Sequence, residues 1–287
     1  MPLDQEPHDS HEEKEMSFLD HLEELRWHVV RSVIAIVIFL ILGLVFSGWI
    51  FDNIIFAPAR PDFITFKYLC KLGNAVGAGD AFCPKEIPFK VQSRYMTGQF
   101  TMQITAALVI GLIMAFPYVF WEIWQFIKPG LRLTERKVSR GAVFWVSFLF
   151  LLGVSFGYFV LCPISIWFFS SYTLSDLIVN EFDITSYVQT IVALVFGSGL
   201  LFQLPMVAYV LTKIGLLTPQ FMRKYRRHAI VVILIVAAII TPPDPLSQTL
   251  ISLPLYILYE VSIIISAVVI RNKRKQELEE EIETAKQ

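Results

Sequence analysis

Charge is the first thing this sequence is short of. Asp, Glu, Lys and Arg make up 17% of its 287 residues, against about a quarter in ordinary soluble domains. With 55% hydrophobic residues and a mean hydropathy of +0.59, there is too little polar surface to clothe one or two soluble domains. Net charge is −1, so neither sign speaks for nucleic acid. Cysteine is scarce as well: three in all, with no His between Cys70 and Cys83, which argues against a metal site there. Nothing resembles a phosphate-binding loop, and direct nucleotide use is therefore not expected. No convincing internal repeat is present, which counts against the inverted-repeat transporter folds. Residues 1–16 are acidic and polar, with no apolar stretch before a cleavage site. They read as a retained, disordered tail and not as a signal peptide.

What is present is a series of apolar runs. A bilayer core of about 30 Å takes roughly 20 helical residues to cross. Segments 27–50, 101–124, 141–169 and 187–211 meet that length. Segment 229–240 is twelve residues, about 18 Å of helix. Segment 250–270 carries Pro254 and Glu260, and with 229–240 it reads as a short hairpin. The expected fold is an all-α integral membrane protein of six transmembrane helices, the last two short, forming a concave, cup-like shape.

Lys and Arg set the orientation. The loop after the second run holds Lys128, Arg132, Arg136, Lys137 and Arg140, and that after the fourth holds Lys213, Arg223, Lys224, Arg226 and Arg227. The tail 271–287 is charged, with Arg271, Lys273, Arg274 and Lys275. Loops 170–186 and 241–247 contain neither residue type. Both termini are thus expected in the cytoplasm. Cys70 and Cys83 fall in the long outer loop, where an oxidising compartment permits a disulfide; two free thiols are equally consistent with the sequence.

Residues 17–31 read as an amphipathic helix, with Phe18, Leu19, Leu22, Leu25 and Val29 on one face and Asp20, Glu23, Glu24 and His28 on the rest. Ser17 with Asp20 resembles a capping box, and Thr134 before Glu135 and Thr218-Pro219 give similar helix-start signals. Four polar strings then stand out. They are His21-Leu22-Glu23-Glu24-Leu25-Arg26, Trp124-Gln125-Phe126-Ile127-Lys128-Pro129-Gly130-Leu131 running on to Arg136, Phe202-Gln203-Leu204-Pro205, and Thr241-Pro242-Pro243-Asp244 with Ser247-Gln248-Thr249. Each has an ordinary structural explanation: solvated interfacial charges, a helix start at Glu135, a helix–helix hydrogen bond from Gln203, a cap at Asp244. Glu260, inside a span, is expected to face a helix partner or a wet cavity. Ser198, in Gly197-Ser198-Gly199, reads as a small packing residue, because the His residues a serine hydrolase needs lie at the cytoplasmic end.

Together, in this order and on these sides of six spans, the strings resemble the TatC family, the multispanning core subunit of the twin-arginine protein translocase. The resemblance covers about 17–270, with an outer-loop insertion within about 60–95; Pro58 and Pro117 also match. Two points depart from the family. Many members carry Glu where this chain has Gln203, which removes a titratable group, and the insertion holding Cys70 and Cys83 has no assigned role.

The resemblance implies a bacterial inner-membrane protein that recognises twin-arginine signal peptides of folded cargo at the cytoplasmic face. It would then nucleate proton-motive-force-driven transport with small single-span TatA/TatB-type partners, and self-association in the complex. No cofactor, metal or enzymatic chemistry is implied. Two adjacent guanidinium groups need two carboxylate acceptors, and the family positions give Glu24 and Glu135, with Arg26, Phe126 and His21 shaping the surface. Gln203, Pro58, Pro117, Asp244, Gln248 and Glu260 are the expected groove and partner contacts. The competing reading is an ion-coupled secondary transporter of small solutes, which needs several charged groups at mid-membrane.

Overall fold

The computed structural model describes residues 18–75, 77, 83, 89–127, 140–175, 177–241 and 245–284. The expected N-terminal tail and the capping signals at Ser17 and at Thr134-Glu135 lie outside them.

Helix α1 runs Phe18–Val45 and continues, after one bend, as a turn Ser47–Ile50 and a wide π-turn Phe51–Ile55. A 3-10 turn, Ala57–Ala59, ends this element at Pro58. Helix α2, Ile64–Ala75, follows; its Cys70 is disulfide-bonded to Cys83. Strand β1 is Lys90–Gln92. Helix α3, Gly98–Ile127, returns along α1 and passes through Pro117 unbroken.

The next crossing is composite: α4, Arg140–Phe156, a π-turn Gly157–Leu161, and α5, Cys162–Ser171. Strand β2, Glu181–Asp183, pairs in parallel with β1, Lys90 opposite Glu181 and Gln92 opposite Asp183. Helices α6, Ile184–Leu201, and α7, Leu204–Lys213, form the following crossing. After α8, Pro219–Lys224, come α9, Arg226–Ile240, and α10, Pro245–Thr284. The end of the bundle where α1 starts is called the near end below, and the opposite one the far end.

Among the described residues, five helical stretches are long and apolar enough to cross a bilayer: 23–45, 98–127, 141–171, 184–213 and 247–279. Helix α9 is the short one anticipated, its 15 residues reaching about 22 Å. The expectation that the last two helices are both short is corrected for α10. It has 40 residues, because neither Pro254 nor the charges from Arg271 onward interrupt it. A proline within an apolar helix costs one hydrogen bond, and neighbouring helices tolerate the bend.

Two kinds of surface build the bundle. The core, around Leu161, Leu194, Ile251 and Leu255, is fully buried. Between α4 and α6 the contact is made by small residues: a Cβ on Gly153 would lie 2.6 Å from the Ser198 carbonyl oxygen, and one on Gly157 2.6 Å from that of Leu194. Close backbone approach of this kind is how membrane helices gain dispersion contact without a hydrophobic effect between them. Ser198 is buried here and donates to the Gly153 carbonyl at 2.8 Å, in agreement with its reading as a packing residue. The outward faces carry Val33, Ile34, Val37, Ile38, Phe144 and Phe148, all exposed, as a lipid-facing surface demands.

Candidate functional site

The site starts from a seam between α1 and α3. A Cβ on Gly43 would sit 3.2 Å from the Ala107 Cα, and one on Gly111 2.9 Å from the Leu40 backbone nitrogen, so the two helices touch backbone to backbone. At the far end Gln103 donates its Nε2 hydrogen to Ser47 Oγ at 2.8 Å. At the near end His28 Nδ1 meets Glu122 Oε2 at 2.5 Å. The partners step in opposite directions along the chain, as an antiparallel pair must: 47 with 103, 43 with 107, 28 with 122. One turn further out, the same register sets Glu24 level with Phe126.

Glu122 is 1% exposed, and an unpaired carboxylate at that depth costs several kcal/mol. Both its oxygens are engaged. Tyr118 Oη donates to Oε1 at 2.6 Å, His28 holds Oε2, and Arg31 Nη1 stands 4.0 Å from Oε2. The Phe126 ring lies edge-on to His28, centroids 6.4 Å apart. Above this cluster Glu24 is half-buried, and among the described residues its buried Oε2 has no hydrogen-bond partner.

The amphipathic reading of 17–31 is corrected at Glu24, His28 and Val29, whereas Glu23 is exposed as expected and Leu25 is half-buried. Glu24 and His28 turn inward, while Trp27, Val29 and Val30 are exposed. In an aqueous protein an apolar residue such as Val29 would face the core; here it faces outward, and His28 finds its partner on α3. Arg26 is exposed at the near end. His21 lies on α1, with its side chain outside the description, and Glu135 and Asp244 lie outside the described residues altogether.

The remaining expected residues are spread through the bundle. Gln203 occupies the break between α6 and α7, where Pro205 can donate no N–H. Its Nε2 donates to the Val146 carbonyl at 3.1 Å, the helix–helix bond the sequence suggested. Glu260 has the helix partner it was expected to need: Arg226 Nη2 at 2.7 Å, with Tyr256 Oη donating at 3.2 Å. Gln248 donates to the Leu234 carbonyl at 3.4 Å and joins α10 to α9. Pro58 is buried. A mostly apolar cavity of about 310 Å³ opens among Ile54, Ala106, Ile110, Val154, Tyr158 and Val192.

Sequence reasoning passed over Glu122, with its partners His28, Tyr118 and Arg31. The signal was available: Glu122 lies inside the second apolar run, and an ionisable group in a span is a functional candidate for the same reason as Glu260.

The family model described as Sec-independent protein translocase protein (TatC) matches residues 20–254. A Sec-independent protein translocase protein TatC from Blattabacterium sp. subsp. Periplaneta americana (strain BPLAN) is 42% identical over 263 residues, covering 91% of this chain and 99% of that protein. TatCy of Bacillus subtilis (strain 168) is 33% identical over 262 residues, 91% of this chain and 92% of its own. Among solved structures, a crystal structure of the twin arginine translocase receptor TatC aligns with a TM-score of 0.66 at 27% identity, covering 87% of this chain and 99% of that one.

Proposed function

Because the chain belongs to the TatC family of Sec-independent protein translocase proteins, we propose that it is the core subunit that receives twin-arginine signal peptides. It sits in the bacterial inner membrane as six spans in a concave arrangement, the near end and both termini cytoplasmic. Glu24 accepts one guanidinium and Glu135 the other, since a bidentate carboxylate suits each arginine better than a single shared one does. Phe126, level with Glu24, supplies an apolar wall, and His21 and Arg26 border the surface.

The apolar part of the signal peptide then lies along the groove towards Gln203. Small single-span TatA/TatB-type subunits join there, and the assembled complex, self-associated, transports folded cargo at the expense of the proton-motive force. The observation that carries this reading is the buried, unpartnered Oε2 of Glu24 on the inward face of α1. The transporter alternative is not favoured: Glu122 and Glu260, carboxylates within the long spans, are each occupied by a basic partner.

Binding of a labelled twin-arginine signal peptide to the purified protein tests this. Glu24→Ala and Glu135→Ala are each expected to weaken binding at least tenfold, about the loss of one buried charge-assisted contact, and a twin-lysine peptide is expected to bind as poorly. Wild-type affinity in both variants moves the recognition site elsewhere.

A further inference from the structure

Along the α1–α3 seam the contacts at Gly43 and Gly111 are close: α1 and α3 meet there backbone against backbone. Close contact at a glycine brings two helices together but adds no knob of its own to stop one sliding past the other by a turn. Register is therefore left to the polar groups at its ends. Ser47 and Gln103 make a neutral hydrogen bond at the far end. The near end has His28 and Glu122, the latter almost fully buried, with Tyr118 and Arg31 completing its surroundings. A one-turn slip would strand the buried Glu122 carboxylate without its His28 partner, and that penalty exceeds the loss of the neutral bond between Ser47 and Gln103.

We propose that His28 and Glu122 form a register pin that sets Glu24 level with Phe126 and so builds the guanidinium-binding surface. The inference rests on the twin-arginine reading given above. His28 lies four residues after Glu24, and Glu122 four residues before Phe126, so each pinned residue is one helical turn from the binding residue on its own helix and on the same face. The His28 ring contact with Phe126 ties the pair directly to that surface. Glu122 is a positioning residue and does not itself receive an arginine, because His28 and Tyr118 already occupy its two oxygens. Among the described residues, Arg31 from α1 and Tyr118 from α3 also face Glu122, and Glu24 lies one turn before His28 on α1.

Two measurements on the full-length protein in lipid nanodiscs test the pin. The first is the distance between spin labels at Trp27→Cys and Ile127→Cys, both exposed positions near the near end. The second is the affinity of a twin-arginine signal peptide. His28→Gln and Glu122→Gln are each expected to broaden the distance distribution or displace it by about 5 Å, one helical turn, and to lower affinity about tenfold or more. The exchanged pair His28→Glu with Glu122→His restores both readouts, and so does His28→Arg.

Unchanged distances in the single variants overturn the pin. Altered distances with wild-type affinity overturn its link to the binding surface, and lost affinity at unchanged distance makes one of the pair a direct ligand instead. A swap that fails to restore either readout overturns the claim that the His28–Glu122 pairing sets the register. Glu24→Ala is run alongside: if it binds peptide normally, Glu24 is not the guanidinium acceptor, and the label distances alone decide the pin.

Discussion

Tyr158 donates its hydroxyl hydrogen to the Ile54 carbonyl at 2.9 Å, which is the bond that Pro58, four residues on, has no hydrogen to make. Tyr187 does the same for the next carbonyl, that of Ile55, also at 2.9 Å, because Ala59 turns its N–H to Phe56 in the 3-10 turn. The end of the first crossing is thus satisfied by two tyrosines from the third and fourth. Burying a backbone carbonyl without a partner is costly in any protein and more so where no water reaches it.

Tyr158→Phe and Tyr187→Phe should each destabilise the folded protein by about 1–3 kcal/mol, the cost of leaving a buried acceptor unmade. Thermal melting in detergent checks this. Wild-type midpoints in both variants would mean that the Ile54 and Ile55 carbonyls find other donors.

The small-residue contact between α4 and α6 predicts a second outcome. Gly153→Ala puts a methyl group 2.6 Å from the Ser198 carbonyl oxygen and should cost about 1–3 kcal/mol, the usual penalty for overpacking. Gly157→Ala, which meets Leu194 and Ser198, should do likewise. Gly48→Ala, with nothing within 4 Å of the added carbon, is the matched control and should melt as wild type.

Asp183 predicts a pH dependence. It caps α6, accepting from the Thr185 backbone N–H at 2.8 Å, and its other oxygen accepts from the Arg94 backbone N–H at 2.9 Å. The Arg94 amide first, and then Thr185, hold its carboxyl below the ordinary range. A carboxylate depressed in the folded state contributes stability above the unfolded value, near 4, and that contribution disappears as pH falls through the folded one. The melting difference between wild type and Asp183→Asn should therefore be constant from pH 7 to about 5 and shrink on further acidification. A difference independent of pH to 3 would remove the charged cap from the account.

Much of the architecture was legible because lipid imposes strict lengths: among the described residues, five of the six apolar runs fall in helices long enough to cross, and 229–240 is the short one. Helix α10 outran its expected end because the residues after 270 are good helix formers, and polarity alone does not stop a helix. The α1–α3 site was harder to read. Glu24 was found through its motif, but His28 and Glu122 are 94 residues apart. Nothing in either local pattern announces the other, and a polar stripe on a helix looks identical whether it faces water or a neighbouring helix. Glu260 was legible as a group needing a partner; that the partner is Arg226 comes only from the antiparallel packing of α9 on α10.

The two short strands set an order of events. In the Arg94–Asp183 contact 89 residues of chain separate the partners, the β1–β2 pairing lies beside it, and both α3 and the composite α4–α5 crossing are threaded in that interval. During synthesis the segment that becomes β1 emerges first and has no mate. It stays open until the ribosome has delivered the composite α4–α5 crossing and the loop behind it. Closure of the far end is therefore a late step in biogenesis, and a chain truncated before residue 181 would insert its first helices with that end unsealed.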